Sequence, residues 1–407
     1  MKFTTDSGLF LCLLSFVTST LFYPLVLRIA KRFGFMDNPN ARKLQRVPVP
    51  VMGGIVVFIG ILSSLLVWNI RVNDSVLWIG LVVMTIMLLI GAIDDATDIP
   101  ASLRFIVEII LVYWMILASG IEINCFHGLW NIYSIDVVAS LPLSIVAGVG
   151  VINAINLIDG VDGYASGFCI MSCSIFAGLF YYAGDAMMGG LAIMCVGALI
   201  PFFMHNVFGR SSKMFLGDSG TLMMGTVLTI LVLATLSEGG RCAQLQTEGI
   251  GLVPLTLAIM SIPVFDTLRV MGVRMLRGGS PFQPDKTHLH HLFIEMGFSH
   301  LGTALCILAI NMFIIGVWFL SWKLGASVNV QFWIVVLLSI LVTFGFYHFV
   351  KVQESAGPLD EDGYPTGGAI WKFLCMLGEK SHVEDNAFWI FLRNLMDGRL
   401  WKKHKTK

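Results

Sequence analysis

Carboxylates in this sequence gather in short polar segments that follow long apolar stretches. Asp94 and Asp95 are adjacent in "GAIDDATDIP", and Asp218 lies in the glycine-bounded segment "FLGDSG". Neighbouring acids that stay charged suggest a divalent cation, a general base, or both. A solvated helix end is the alternative for the acid pair, and a simple turn is the alternative for "FLGDSG".

The segment "NAINLIDGVDG" carries a more specific pattern. Asn153, Asn156 and Asp159 are three residues apart, which places them on one face of a helix, and Asp162 follows in a glycine turn. Such an amide-lined face can bind hard cations and phosphate-bearing ligands. Hydrogen bonding between helices by buried asparagines is the alternative. An EF-hand loop is excluded because the alternating oxygen ligands and the closing glutamate are missing.

Basic and imidazole side chains occur together in "RMLRGGSPFQPDKTHLHH". The candidate ligand-binding residues are Arg274, Arg277, His288, His290 and His291. Clustered histidines suggest a transition metal, but cysteines are missing here and the other motifs are rich in oxygen. We therefore favour contacts with phosphate and sugar oxygens, with a generic basic loop as the alternative.

A further basic segment, "NARKLQRVPVPVMGG", contains Arg42 and Lys43. Placed at the level of the lipid headgroups, these side chains can hold a lipid phosphate. The preference of cytoplasmic loops for basic residues explains them equally well.

The composition is that of an integral membrane protein. Of the 407 residues 56% are hydrophobic and only 13% are charged, and the mean hydropathy is +0.81. The formal net charge is zero, so nothing in the composition points to nucleic acid as a partner. The eight cysteines show no CxxC pair and no metal-ligand spacing.

The elements that carry the motifs are predicted to be transmembrane helices, so the fold class is an all-α integral membrane protein. Since a bilayer core takes roughly 20 apolar residues in helical form, we expect about eleven spans. The predicted segments are 8–30, 51–69, 76–93, 104–121, 141–158, 165–184, 186–206, 220–237, 250–271, 301–322 and 331–350.

Lysine and arginine positions predict the orientation, because short cytoplasmic loops collect them. They place the N-terminus outside and the C-terminus in the cytoplasm, with all five polar segments on the cytoplasmic face of the inner membrane. We expect a polytopic membrane domain over 1–350 and a cytoplasmic tail over 351–407. The tail segment "AFWIFLRNLMDGRLWKKHKTK" predicts an amphipathic helix on the membrane surface, with a partly ordered solvated tail as the alternative.

Taken in order, the basic loop, "DD", "NxxNxxDGxDG", "FLGDSG" and "PDxxHLHH" resemble one family. This family is the polyprenyl-phosphate N-acetylhexosamine-1-phosphate transferases, and the resemblance is strongest to the bacterial members that use undecaprenyl phosphate and UDP-N-acetylglucosamine to start O-antigen and related surface glycans. It runs from about residue 20 to about residue 350. One departure is Gln45, which stands where many relatives have a histidine.

The resemblance implies an enzyme that transfers N-acetylhexosamine-1-phosphate from a UDP-sugar to a polyprenyl phosphate and releases UMP. It implies a requirement for magnesium, with manganese as the alternative ion. By motif, Asn156 and Asp218 match the magnesium-associated positions, and Asp94, Asp95 and Asp159 match the catalytic acids. The remaining candidates, expected to bind substrate, are Asn153, Asp162, Arg274, Arg277, His288, His290, His291, Arg42 and Lys43.

Other functions stay open from the sequence. The same reaction with UDP-N-acetylmuramoyl-pentapeptide or another UDP-hexosamine donor is one alternative. A secondary transporter is another, since polar residues in apolar spans often mark substrate paths. Small-residue surfaces facing the lipid are also compatible with a homodimer.

Overall fold

A computed structural model describes residues 5–38, 47–72, 75–280, 287–355, 368–382 and 386–399. Helices dominate this part of the chain, and the one pair of strands described is β1 (Met36–Asp37) with β2 (Val49–Pro50). The helices are α1 (Thr5–Phe33), α2 (Gly53–Val72), α3 (Ser75–Thr97), α4 (Ala101–Ser119), α5 (Val137–Leu157), α6 (Tyr164–Tyr182), α7 (Ala186–Phe208), α8 (Gly217–Leu236), α9 (Leu252–Ile259), α10 (Ser261–Leu276), α11 (Leu289–Glu295), α12 (His300–Lys323), α13 (Val328–Ile340), α14 (Phe346–Ser355), α15 (Ala369–Lys380) and α16 (Ala387–Met396). A π-helical turn at Leu341–Gly345 joins α13 to α14, and short 3₁₀ turns lie at Leu129–Asn131 and Arg241–Glu248.

The predicted all-α membrane class is confirmed. Within the described residues, nine helices are long and apolar enough to cross a bilayer, and the bent pair α9–α10 makes up to ten. α2 has a shorter apolar stretch, Gly53–Trp68. Every predicted apolar segment therefore lies on helix, although the number of true spans is set by how α2 and the bent pair are counted.

The predicted segment 250–271 is not one continuous helix, because α9 and α10 meet at an angle of 73°. Pro263 lacks a backbone N–H and so cannot bond the carbonyl of Ile259. Asn311 on α12 replaces the missing bonds: its Nδ2 donates to the Ile259 carbonyl at 3.1 Å, and its Oδ1 accepts from the Ile262 N–H at 3.1 Å. A buried asparagine thus satisfies backbone groups that have no water to bond.

α8 lies at the centre of the bundle, and the apolar window that qualifies it as a span is fully buried. Glycines let its first turn come very close to α2 and α3. A Cβ at Gly54 would lie 2.4 Å from the Gly220 nitrogen, and a Cβ at Gly91 would lie 2.4 Å from the Asp218 carbonyl carbon. Because Gly54 and Gly91 have no side chain, "FLGDSG" can lie in direct contact with the backbone of both helices.

Backbone hydrogen bonds also tie "FLGDSG" to the segment that follows α1. The Phe215 N–H donates to the Pro50 carbonyl at 2.8 Å, and the Gly53 N–H donates to the Phe215 carbonyl at 2.9 Å. Arg42, Lys43 and Gln45 lie in 39–46, outside the described residues, so their roles stay predictions.

Candidate active site

The polar segments meet at one end of the helix bundle around a cavity of about 1560 Å³, which we call the polar cavity. The sequence-predicted residues that line it are Asp94, Asp95, Asn156, Asp159, Asp162, Asp218 and His291. Described residues from all five polar segments thus line one cavity. Asn38 and Val47, which flank the segment carrying Arg42 and Lys43, line the same cavity.

Asp218 and Asn156 form a direct pair across α8 and α5. The Asn156 Nδ2 donates to the Asp218 Oδ1 at 2.5 Å and to the Thr221 Oγ1 at 2.9 Å. The Asp218 side chain keeps 35% of its surface exposed. A carboxylate and an amide are therefore held side by side at the wall of the cavity.

Asp94 is buried and paired with Arg104 of α4. The Arg104 Nη1 lies 2.8 Å from the Asp94 Oδ2 and 3.8 Å from the Asp218 Oδ2, and its Nε lies 3.5 Å from Glu108. The Ile99 N–H donates to the other Asp94 oxygen at 2.8 Å. Asp94 and Asp218 thus share the cation of Arg104 at the edge of the polar cavity.

Arg104 and Glu108 are site residues that the sequence reasoning missed. Their signal is a cation and an acid four residues apart within an apolar stretch, where charges are costly and usually paired. Glu108 in turn accepts a short hydrogen bond from the Asn153 Nδ2. Asn153 therefore bonds across two helices and is not among the described residues that line the cavity.

Asp95 holds the first turn of α8 in place. Its two oxygens accept hydrogen bonds from the Asp218 N–H at 2.8 Å and the Ser219 N–H at 3.1 Å. Gly217 has a φ of +73°, and a Cβ there would lie 2.6 Å from the Asp95 Oδ2. A glycine is required at this position by both conformation and space, so Asp95 fixes the orientation of Asp218.

Asp159 and Asp162, in the turn after α5, are in opposite electrostatic situations. Enclosure by protein, with the nearby carboxylates of Asp218 and Asp95, raises the pKa of Asp159 well above its ordinary value, although its surface is open to the cavity. Partial burial acts to raise the pKa of Asp162, but bonds from His300 at 2.8 Å and Lys213 at 2.6 Å outweigh it and lower the pKa. The wall around Asp159 therefore carries excess negative charge that a cation would stabilise.

The histidine segment lies beside the turn after α5, with each ring in a different environment. His291 lines the cavity, whereas His288 and His290 are buried behind it. Burial, followed by the adjacent His291, lowers the pKa of His290 well below its ordinary value. A Cβ at Gly160 would lie 2.4 Å from the His290 Nε2, so the glycine allows the turn to touch this ring.

A second missed pair, Asp266 and Arg269 on α10, positions the histidines. The Asp266 Oδ2 lies 2.9 Å from the His288 Nδ1, and its Oδ1 lies 2.7 Å from the Arg269 Nη2. The Leu289 N–H also donates to Asp266 at 3.2 Å. Their signal in the sequence is an acid and a base three residues apart in the apolar segment 250–271.

Arg274 and Arg277 lie at the end of α10. Arg274 is buried, and the Arg277 Nη2 donates to the Tyr347 hydroxyl at 3.1 Å. Neither arginine is among the described residues that line the polar cavity. Their predicted contact with the donor pyrophosphate stays a prediction.

The donor set suits a magnesium ion. Mg²⁺ prefers oxygen ligands and is usually bound by one or two carboxylates, with water and substrate phosphates completing its shell. Among the described residues no three acidic, imidazole or thiol groups are arranged to hold an ion alone. Asp218 and Asn156 together provide few protein ligands, as Mg²⁺ sites usually do. The neighbouring carboxylates repel one another, and a bound cation would reduce this repulsion.

Comparison with known proteins gives a consistent result. Residues 77–236 match the model of glycosyl transferase family 4. An undecaprenyl-phosphate alpha-N-acetylglucosaminyl 1-phosphate transferase of Escherichia coli strain K12 is 31% identical over 298 residues, which cover 70% of this chain and 76% of the relative. The chain belongs to this family of polyprenyl-phosphate N-acetylhexosamine-1-phosphate transferases.

Two further members of the family are similar over comparable lengths. A probable undecaprenyl-phosphate N-acetylglucosaminyl 1-phosphate transferase of Bacillus subtilis is 29% identical over 301 residues, covering 74% of this chain and 80% of the relative. One from Yersinia pestis is 29% identical over 291 residues, covering 70% and 76%. The chain is a phosphoglycosyltransferase, and the matched region 77–236 contains the predicted site acids that line the polar cavity, namely Asp94, Asp95, Asp159, Asp162 and Asp218.

Proposed function

We propose that this transferase moves N-acetylglucosamine-1-phosphate from UDP-N-acetylglucosamine to undecaprenyl phosphate, giving undecaprenyl-diphosphate-N-acetylglucosamine and UMP. Two substrates that both carry phosphate must meet, so the site needs cations to offset their charge. The observation that carries the proposal is the Asp218–Asn156 pair in a cavity that also holds Asp159 and the side chain of His291.

Basic and imidazole groups line the same cavity as the acids. They are Lys31, Arg210, Lys213, His291 and His300, of which Lys213 and His300 lie 2.6 and 2.8 Å from Asp162. Cationic and imidazole groups neutralise phosphate oxygens and give them fixed hydrogen-bond donors. The polar cavity thus combines side chains suited to a metal ion with side chains suited to anions.

The chemical step that fits this arrangement is direct displacement. An oxygen of the lipid phosphate attacks the phosphorus that bears the sugar, the new P–O bond forms, and the bond to the UMP oxygen breaks so that UMP leaves with its electron pair. A phosphate monoester has a second pKa of about 6, so the attacking oxygen is already largely ionised near neutral pH. Positioning therefore matters more than proton removal.

Asp218, Asp95 and Asp94 are placed to support this step in different ways. Asp218 and Asn156 would hold Mg²⁺, which supplies charge neutralisation on the donor pyrophosphate and on the leaving UMP. Asp95 fixes the backbone of Asp218, and Arg104 sets the position of Asp94. No acid needs to form a covalent phospho-sugar, and trapping one on Asp159 or Asp94 would refute direct displacement.

We also propose that the protein is oriented so that the polar cavity opens to the cytoplasm, at the inner leaflet of the inner membrane. Asp94 and Asp95 lie in the last turn of α3, and Asp218 lies in the first turn of α8. The acids are thus at helix ends. A transporter would hold its substrate near the middle of the bilayer, so the position of the acids supports a transferase that meets a lipid headgroup.

The test is a donor panel with purified protein and undecaprenyl phosphate. UDP-N-acetylglucosamine, UDP-N-acetylgalactosamine and UDP-N-acetylmuramoyl-pentapeptide are supplied separately, and UMP and butanol-extractable product are measured. We expect the first donor to be preferred by at least about 10-fold, the size of one good discriminating contact. Preference for another donor would correct the substrate, and no product from any donor would refute the reaction.

A further inference from the structure

The C-terminal helices α15 and α16 lie beside the polar cavity, outside the region 77–236 that matches the family model. The end of α15 is fixed to the start of α12: the Ser299 N–H donates to the Ser381 Oγ at 2.8 Å, and the Ser299 Oγ donates to the Ser381 carbonyl at 2.9 Å. Ser381 lines the cavity. The tail therefore contacts the wall that carries His300.

The end of α16 is fixed to the segment 210–212 through Asp397. Its Oδ1 accepts hydrogen bonds from the backbone N–H groups of Arg210, Ser211 and Ser212 at 3.1, 2.9 and 3.0 Å, and from the Ser212 hydroxyl at 3.1 Å. The Asp397 side chain is fully buried. Consecutive N–H groups around one anion form a nest, which favours the charged carboxylate.

The pKa of Asp397 agrees with this contact. Burial acts to raise it, but the N–H groups of Ser212 and Arg210 outweigh burial and lower it. The Trp389 ring packs on Phe208 at the end of α7, with ring centroids 4.7 Å apart. α16 is thus held at the cavity by one anionic contact and one aromatic contact.

Held in this way, α16 places Trp389 and Arg393 in the lining of the polar cavity. Arg393 lies one helical turn before Asp397, so both side chains lie on the same side of the helix. On the same side of the cavity Lys31 donates to the Ser211 carbonyl at 2.7 Å, and Lys213 is paired with Asp162 at 2.6 Å. A guanidinium adds a planar set of donors suited to phosphate.

We propose that Arg393 binds a substrate phosphate in the polar cavity and that Asp397 is the positioning residue that holds α16 in place for this contact. The inference rests on the proposed function, because the ligand chemistry is a phosphate group carried either by the polyprenyl phosphate or by the UDP-sugar. Phe388 and Phe391 on α16 are 67% and 50% exposed. Exposed aromatics on a helix that also carries a cation suit the lipid interface, which favours the lipid phosphate.

The experiment measures binding and structure separately in full-length protein in nanodiscs. The Kd for undecaprenyl phosphate and the Kd for UDP-N-acetylglucosamine are determined for wild type, Arg393→Ala, Arg393→Lys and Asp397→Asn. Lys380→Ala is the matched control, because Lys380 is an exposed cation of the same tail that is not among the described cavity-lining residues. Hydrogen exchange over 387–396 reports whether α16 stays docked.

We expect Arg393→Ala to raise one Kd at least about 10-fold, as for loss of a charge-assisted hydrogen bond, while exchange over 387–396 stays as in wild type. Arg393→Lys should recover part of the loss, and Asp397→Asn should raise the same Kd and speed exchange. A change in the undecaprenyl phosphate Kd assigns the lipid phosphate, and a change in the UDP-sugar Kd assigns the pyrophosphate.

Unchanged Kd values for both ligands in Arg393→Ala would overturn the proposal, as would an equal effect of Lys380→Ala. If Arg393→Ala does not fold, Arg393→Lys and Asp397→Asn decide the question by the same comparison. Wild type that binds both ligands without turnover would refute the proposed function and leave the tail contact to be judged by the Kd values alone.

Discussion

The pair Asp266 and Arg269 offers the sharpest test of how the histidine segment is positioned. The Arg269 side chain is fully buried, and its nearest acid is the Asp266 Oδ1 at 2.7 Å. Asp266→Asn keeps the shape but removes the charge, which leaves a buried guanidinium without its counter-ion. Breaking such a pair costs about 3–5 kcal/mol. The Thr287 carbonyl and the Tyr347 ring, which is 4.5 Å away, still contact Arg269 in this variant, so we expect a cost at the lower end of this range.

A double-mutant cycle separates this effect from general damage. Arg269→Met leaves Asp266 its bonds to His288 and Leu289, so we expect a smaller loss of about 1–3 kcal/mol. The double variant has no unpaired guanidinium. Its loss of stability should therefore be smaller than the sum of the two single losses by about 1–3 kcal/mol. Equilibrium unfolding in mixed detergent micelles measures all four proteins.

Activity follows the same logic, because His288 and His291 belong to one short segment. Loss of the Asp266 bond should shift this segment and lower the rate of transfer, on the order of 10²-fold for a displacement of about 1 Å. Asp185→Asn is the matched control, since Asp185 caps α7 through the Met187 and Met188 N–H groups and asparagine caps about as well. Wild-type stability and rate in Asp266→Asn, or additive losses in the cycle, would refute this role.

Three further predictions concern single contacts. Gly160→Ala should place a Cβ against the His290 ring, which should lower stability by about 1–3 kcal/mol and reduce the rate of transfer. Gly150→Ala, where a Cβ would meet open space, should change neither. Equal effects of the two substitutions in thermal melts and transfer assays would contradict the contact. The lowered pKa of Asp162 means that its stabilisation is present above the ordinary value of about 3.9 and is lost as the pH falls through the lower native value. The difference in unfolding free energy between wild type and Asp162→Asn should therefore shrink as the pH falls below about 4, and a difference that grows there would be inconsistent with this sign. Asn311→Leu should cost about 1–3 kcal/mol by leaving backbone groups at the bend unpaired, and unchanged unfolding would show that the bend does not depend on this side chain.

The helical fold was predictable because a bilayer allows few solutions. Apolar stretches about 20 residues long must satisfy their backbone groups internally, and the described helices follow them closely. The break between α9 and α10 was not predictable from hydropathy. Asn311, which is distant in sequence, replaces the backbone bonds that are lost at this break.

The candidate site was predictable in part. The acids of "DD", "NxxNxxDGxDG" and "FLGDSG" occur at span ends, so a common orientation brings them together, and the polar cavity contains them. The partners Arg104 and Asp266 were missed because their roles depend on which helices touch. The tail contact of Asp397 was also out of reach, since a single acid near the end of a chain carries no pattern.

The central claim is that Asp218 with Asn156 supports metal-dependent transfer of sugar and phosphate together. The most direct measurement uses UDP-N-acetylglucosamine labelled with ³²P on the sugar-bearing phosphate, with wild type and Asp218→Asn, in the presence of Mg²⁺ or a chelator. We predict that label enters undecaprenyl lipid with one UMP released per product, only in wild type and only with the ion. Metal-independent transfer, full activity in Asp218→Asn, or release of UDP in place of UMP would contradict the account.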